Sequence, residues 1–578
     1  MIINYLKDNI IGGIGDQVGG FIRLSNQKLV GAPFNNGSQA LWEGNQPIFS
    51  FIYNRGSQIV DPVLFSNLFS LVSVLLLFVF SFLLFRLLKI NNFVGIVLSL
   101  ILTFSPYTYL HLGVHPALMQ AWMVPAFVLL LVDTCHGLEF RVKSLEFSSK
   151  FKIIRRMILT GAFLSLVVLT SNYLGYFLML LSGVFAVANI VVKLVFKEFS
   201  WGWLKSTVMR YAVIFGTCLL ISIPALLPYF KSSYGGPSVG SIGVSRSLED
   251  FQNFSGRPWY LFLPPIQNPV FGTITKSVLE WMKNGWGYYL ADDYFNSESP
   301  EMFLGISNLV VFSIAVGRAF KKFKFQMTNV KLMSNGANDE TKTILIFVMT
   351  GFLLFLFTLP PFFDFAGVKV YTPGFILCKL FPMFRVTQRL GVVILMCVLV
   401  LNGIFISEVL KKVQSLELIV KNLVKSSELK YKNILVLLLI FGYAGFSLVE
   451  FFVPIRIMNI KNVPPVYEYL SKIDDPAVII ATYPNQSPED IFWVSRHKKG
   501  LINPRDYVNI KFQFNSKEFT KDLSTIEGLL KAKKYNVSYI VFDRMGFSDH
   551  QKSANSEKFF GNNLTLEKDF EGVLLFKF

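Results

Sequence analysis

The residues whose types and spacing suit chemistry lie almost entirely between the apolar stretches of this chain. Asp16 stands in a glycine-rich run, GGIGDQVGG. A carboxylate there is either a general base or an ordinary helix cap or solvated loop acid. The glycines do not form a phosphate loop, because no Lys-Ser/Thr follows and no strand precedes them. His111 and His115, in FSPYTYLHLGVHP, are four residues apart and so suit one face of a helix. Zinc is conceivable for such a pair, but Pro106 and Pro116 interrupt the helix and spacing offers no third ligand. Hydrogen bonding, with His115 as a substrate-binding residue, or interfacial anchoring are the other readings. Arg385 and Arg389, in FPMFRVTQRLG, are again four apart. Guanidinium forks suit phosphate, so this pair fits a headgroup at a membrane surface. The alternatives are snorkelling to lipid phosphates or a salt bridge with Asp364. Asp292 and Asp293 are adjacent, and neighbouring residues do not converge on one ion by themselves.

The apolar stretches must position these groups. The chain has 578 residues, is 52% hydrophobic, and contains 59 Phe. That composition fits a membrane bundle with polar appendages, not one soluble domain. With about 20 apolar residues needed per crossing, spans fall near 63–85, 93–110, 117–133, 157–171, 174–192, 208–229, 303–317, 343–360, 390–408 and 433–454. The gaps between them alternate. One set is basic, for example Arg318, Lys321, Lys322 and Lys324, or Lys411 and Lys412; the other includes the turns 111–116 and 171–173, which have no Lys or Arg. Basic short loops stay cytoplasmic. The net charge of +18 therefore reflects membrane topology, and nucleic acid is not an expected partner. The four cysteines, at 135, 218, 378 and 397, place only Cys378 in an outer loop and show no zinc spacing.

This layout divides the chain into a first extracytoplasmic loop, 1–62, a transmembrane bundle, 63–455, with large outer loops 231–302 and 361–389, and an extracytoplasmic domain, 456–578. The count of spans leaves the first running inward, which implies a further helix ahead of residue 1. The tail alternates strand-type runs (477–483, 537–543 and the closing GVLLFKF) with an amphipathic helix at 524–534. The expected fold is mainly α: a polytopic transmembrane helix bundle with a small α/β C-terminal domain.

Several segments resemble the GT-C superfamily of polytopic membrane glycosyltransferases, and within it the YfhO-like bacterial membrane proteins. They are Gly15–Asp16 in the first loop, the stretch 105–131, the loop 248–272 with LEDFQNF and LPPIQNPVFG, PEMFLG at 300–305, FPMFRVTQRLG at 381–391, and NVPPVYEYL at 462–470. The resemblance implies transfer of a sugar from a polyprenyl-phosphate donor to a cell-envelope acceptor. It assigns the catalytic acid/base role to Asp16, although Gln17 stands where many relatives have a second acid. Arg385 and Arg389 would bind the leaving phosphate. A monophosphate leaving group does not strictly require a metal, so no cofactor is expected, and single displacement inverts the anomeric carbon. Membrane lipid and the lipid-linked sugar are the expected partners. The alternative is a non-catalytic membrane protein, a flippase for lipid-linked sugars or a cell-envelope assembly partner; mid-membrane charges typical of ion-coupled transport are missing.

Overall fold

The computed structural model describes residues 2–12, 29, 46–135, 148–234, 248–286, 295–328, 339–365, 367–421, 428–484, 488–503, 522–547 and 549–578. Ten apolar helices dominate them: α1 (Pro62–Leu87), α2 (Asn92–Thr103), α3 (Met123–Cys135), α4 (Ser148–Thr170), α5 (Asn172–Val195), α6 (Trp201–Tyr234), α7 (Ile306–Thr328), α8 (Asp339–Thr358), α9 (Gly391–Lys421) and α10 (Glu428–Phe451). Seven are long and apolar enough to cross a membrane, while α2, α3 and α10 have shorter apolar runs. Each falls on one of the spans expected from hydropathy. Three helices run past their apolar spans: α7 continues to Thr328, α8 begins at Asp339 and α9 continues to Lys421.

Local chemistry sets the helix starts. Pro62 opens α1, where its missing N–H costs nothing, and the Asp61 carboxylate accepts from Val63 and Leu64 N–H. Asn91 caps α2 at Phe93 N–H. Glu450, from the end of α10, accepts from the Ile306 and Ser307 N–H groups and so caps α7 from another helix. An acid at a helix N-terminus opposes the positive end of the dipole. Burial separates the helices: 94% of the apolar window of α9 is inside the protein, against 17% for α6. Helix α9 is therefore the axis of the bundle, and α6 presents its apolar surface to lipid. Inside, Asn402 donates to the Asn308 carbonyl and Tyr443 to the Asn308 side chain, a polar junction of α9, α7 and α10.

The C-terminal domain holds a five-stranded sheet ordered β6-β5-β7-β9-β8. Its strands are β5 (Ile479–Tyr483), β6 (Gly500–Leu501), β7 (Val537–Asp543), β8 (Thr565–Phe570) and β9 (Val573–Lys577). β5 and β7 run parallel, joined through the helix Ile526–Lys534, and β9 returns antiparallel to both β7 and β8. Alternate residues pack on opposite faces: Ile480, Tyr539, Val541 and Leu575 on one, Ala481, Ile540, Phe542, Leu574 and Phe576 on the other. Both faces are covered, which is why these strands read as continuous apolar runs. Elsewhere β2 (Phe362–Phe365) and β3 (Val368–Tyr371) form a hairpin.

The start of the chain is bound to this domain. β1 (Asn9–Ile11) pairs antiparallel with β4 (Ile457–Asn459). Asn67 of α1 pins the same segment, accepting from Ile11 N–H and donating to the Leu6 and Asn9 carbonyls. The strand ends against the turn that follows His111. A Cβ on Gly12 would stand 1.6 Å from the Leu112 oxygen, and one on Gly113 1.8 Å from the Ile11 oxygen. Only two glycines, both at positive φ, allow these backbones to meet.

Candidate functional site

Turns that the sequence places in or beside the expected outer loops converge at one end of the bundle. The short helix Pro106–His111 delivers His111, the turn Ser299–Met302 ahead of α7 delivers Glu298 and Glu301, and the turn Thr387–Leu390 ahead of α9 delivers Arg389. Contacts that leave no room for a larger side chain set their positions. Gly391 begins α9 directly on the preceding turn, where a Cβ would lie 1.9 Å from the Glu301 carbonyl oxygen. Gln388 donates to the Ser255 carbonyl and to Ser299, and Thr387 to the Thr358 carbonyl, so the arginine turn is tied to two neighbouring loops and to the end of α8.

Arg389 makes a two-bonded fork on Glu298, Nε to Oε2 at 3.0 Å and Nη2 to Oε1 at 2.8 Å. Its guanidinium lies over the Tyr173 ring, 4.7 Å from the centroid. Both side chains of the pair are nearly buried, at 10% and 13% exposure. Burial alone would raise the Glu298 carboxyl, but the Arg389 charge outweighs it and holds that group well below the usual carboxylate range. His111 Nε2 lies 3.0 Å from Glu301 Oε1, and both side chains are fully buried. Burial pushes the imidazole well below its ordinary range, so the neutral ring faces Glu301. Tyr107 and His115 flank His111 edge-on, with ring centroids 4.4 and 5.2 Å away. One ligand atom from each of His111, Glu298 and Glu301 falls within 4.8 Å of the others, a spacing on which a metal ion could be held.

Arg385 takes another direction. Its Nη1 donates to Asp250 Oδ1 at 2.8 Å, and its guanidinium stacks over Phe254 at 4.7 Å. The pair is about a third exposed. Its carboxylate partner is thus Asp250 and not the Asp364 considered from sequence; Asp364 stands opposite Lys369 in the β2–β3 hairpin. Residues 382–386 are not helical, and a 3₁₀ turn carries Arg389, so the two arginines do not share the helix face that their spacing suggested. They do lie in the same loop layer.

His115 is half-buried beside His111. Asp16 lies outside the described residues, as do Asp292 and Asp293. Spacing did not reveal Glu298 and Glu301 as partners of His111. The available signal was two acids three residues apart at the entry to an apolar helix, a placement acids rarely take without a partner. At the opposite end of the bundle Glu408 meets Arg318, Lys322 and Lys412, and Glu198 meets Lys193 and Lys342. The basic gaps and the Lys-poor turns therefore occupy opposite ends.

No family model and no curated protein matches this chain. Among solved structures it is similar to the archaeal oligosaccharyltransferase AglB of Archaeoglobus fulgidus, in complex with an inhibitory peptide and a dolichol-phosphate, at TM-score 0.44 and 12% identity over 94% of this chain and 67% of that one. The apo form of the A. fulgidus oligosaccharyltransferase gives TM-score 0.48 at 10% identity, again over 94% and 67%. ArnT from Cupriavidus metallidurans, bound to undecaprenyl phosphate, gives TM-score 0.41 at 10% identity over 99% of this chain and 95% of that one.

Proposed function

We propose that this protein transfers a sugar from a polyprenyl-phosphate donor to an acceptor hydroxyl on the extracytoplasmic side of the membrane. The observation that carries the reading is the loop layer itself. Two arginines, each stacked on an aromatic ring and hydrogen-bonded to a carboxylate, lie where the Lys-poor turns meet above a bundle of apolar helices. The donor tail would lie among the helices, and its phosphate would reach Arg385 and the donors of Arg389 not engaged with Glu298. Phosphate charge grows as the bond from phosphate oxygen to the anomeric carbon breaks, and pre-placed guanidinium groups favour that change.

Asp16 is the proposed base. It follows Gly12 by four residues, and Gly12 packs on the turn after His111. The acceptor oxygen attacks the anomeric carbon, its proton passes to the Asp16 carboxylate, and the lipid phosphate leaves with the bonding pair. One displacement inverts the anomeric centre. His115 is the proposed hydrogen-bonding group to the substrate. A monophosphate leaves without requiring a metal of its own, since the arginines meet its charge. The C-terminal domain would share the extracytoplasmic side, because β1 ties it to the same end of the bundle as the loop layer.

The test is transfer of radiolabel from a polyprenyl-phosphate sugar in membranes carrying the full-length protein. Label should reach an acceptor in these membranes and not in membranes lacking the protein. Movement of the donor between leaflets with no covalent transfer would favour a flippase instead.

A further inference from the structure

Side chains alternate between the two faces of the β2–β3 hairpin. Phe362, Asp364, Lys369 and Tyr371 share one face, where Lys369 lies over the Phe362 ring at 4.8 Å and Phe362 meets Tyr371 edge-on. Phe363, Val368 and Val370 fall on the other, which carries no charge. Among the described residues no element covers β3: Val368 is 65% exposed, Val370 51% and Tyr371 60%. A ribbon of two strands is marginal in water and needs its apolar side packed against something. The helix Pro373–Leu380 repeats the pattern. It buries Gly374 and Leu377, with Gly374 so close to the end of α8 that a Cβ would stand 2.0 Å from the Leu359 oxygen. Ile376 and Leu380, one turn apart on a single face, are 50% and 64% exposed.

We propose that this hairpin and helix form a monotopic anchor, seated in the lipid leaflet on the side of the loop layer, with Val368, Val370, Ile376 and Leu380 as its apolar contact. Lipid is the occupant for two reasons. The first is continuity with the lipid-facing surface of the bundle. Helix α8, which exposes Phe352, ends at Thr358, and β2 begins at Phe362. Four residues reach at most about 14 Å, while the headgroup layer is about 5–8 Å deep on each side of the hydrocarbon. The hairpin therefore starts within reach of the boundary. The second reason is charge. Lys369 and Lys379, the latter over the Phe375 ring at 5.4 Å, accompany the apolar patch together with Tyr371. Aromatic rings and long cationic side chains suit the headgroup boundary, where lipid phosphates meet the ammonium groups. A protein surface would have to supply carboxylates for both lysines at the same depth. Arg385 follows Leu380 by five residues, so the anchor holds the arginine loop at the leaflet surface. The contact does not depend on sugar transfer.

The experiment uses the full chain in nanodiscs of phosphatidylcholine and phosphatidylglycerol. Nitroxide labels are placed one at a time on cysteines at Val370, Ile376, Leu220 and Lys472, with the native cysteines replaced. Leu220, exposed on α6, is the lipid reference, and Lys472, exposed on the C-terminal domain, is the water reference. Electron paramagnetic resonance reads collisions with oxygen, which concentrates in lipid, and with a nickel complex, which stays in water. Labels at Val370 and Ile376 should collide with oxygen in preference to nickel, as at Leu220. Nickel collisions as frequent as at Lys472 would put the hairpin in water and overturn the anchor. Low collision with both reagents would also overturn it, by showing a protein cover. Spin–spin broadening removed by dilution with unlabelled chain would identify that cover as a second copy. The two labels are read independently, so misfolding of one variant leaves the other to decide.

Discussion

Arg389 and Glu298 meet through two parallel hydrogen bonds although they are 91 residues apart in the chain. The fork joins the turn at the start of the central helix α9 to the turn ahead of α7. Removing either partner leaves a nearly buried charge alone, which typically costs about 3–5 kcal/mol. Glu298→Ala and Arg389→Ala should therefore lower the thermal unfolding midpoint in detergent markedly. Arg385→Ala should lower it less, since water still reaches the Arg385–Asp250 pair and such surface pairs are worth about 0–1 kcal/mol. Equal shifts from the two arginines would show that Arg389 is no more structural than Arg385.

Phosphate binding should divide the basic residues differently. Arg385→Ala combined with Arg389→Ala should weaken binding of a polyprenyl phosphate far more than Lys411→Ala or Lys412→Ala, because charge-assisted hydrogen bonds are worth about 1.5–3 kcal/mol each. Fluorescence quenching with a labelled lipid phosphate measures this. If the lysine variants lose as much, the attraction is only that of a basic protein for anionic lipid.

Asp16→Asn keeps the size of the side chain and most of its hydrogen bonding but cannot take a proton as a base. Turnover of a lipid-linked sugar should fall about 10²–10⁴-fold, with little change in the unfolding midpoint. Wild-type turnover would move the base elsewhere, with Glu43 and Asp61 of the same segment the next candidates.

In the C-terminal domain, burial, with Lys499 and Lys498 adding to it, pushes His497 down to about 3. The unfolded chain takes up a proton near the ordinary value of about 6.5 that the folded domain refuses until about 3. This contribution to stability is therefore complete above about pH 6.5 and is lost progressively down to about 3, at up to roughly 1.4 kcal/mol per pH unit. Hydrogen exchange of the β5 and β7 amides, corrected for intrinsic pH dependence, should report weaker protection at pH 5 than at pH 7. His497→Gln should flatten that difference, and an unchanged slope would assign it to other groups.

Topology is open to direct labelling. In intact cells an impermeant thiol reagent should reach a cysteine at Ser241 and miss one at Lys411, on a background with the native cysteines replaced. The opposite pattern would invert the assignment of the loop layer to the outside.

The sequence carried the architecture further than the site. The spans were legible because a crossing helix must be apolar along its length, and β5, β7 and β9 because strands buried on both faces are apolar at every position. Thr525 caps the helix Ile526–Lys534 within a residue of the start read from its amphipathic pattern. The His111 cluster was not legible: its members come from positions nearly 190 residues apart, and only packing such as the Gly391 approach to Glu301 brings their turns together. The arginine pair failed for a related reason. Spacing of four implies a shared face only inside an α-helix, and residues 382–386 are not in one.

The pairing of β1 with β4 also sets a schedule for synthesis. Residues 9–11 leave the ribosome about 450 residues ahead of their partners at 457–459. At translation rates of about 5–20 residues per second, the first strand waits roughly 20–90 s for its complement. Throughout that interval it is an unpaired edge, the kind of surface on which strands of other chains add. The contacts available earlier are those with Asn67 of α1 and with the turn after His111. The amide of Asn67 is thus the partner nearest in sequence that can hold the strand before its complement is made.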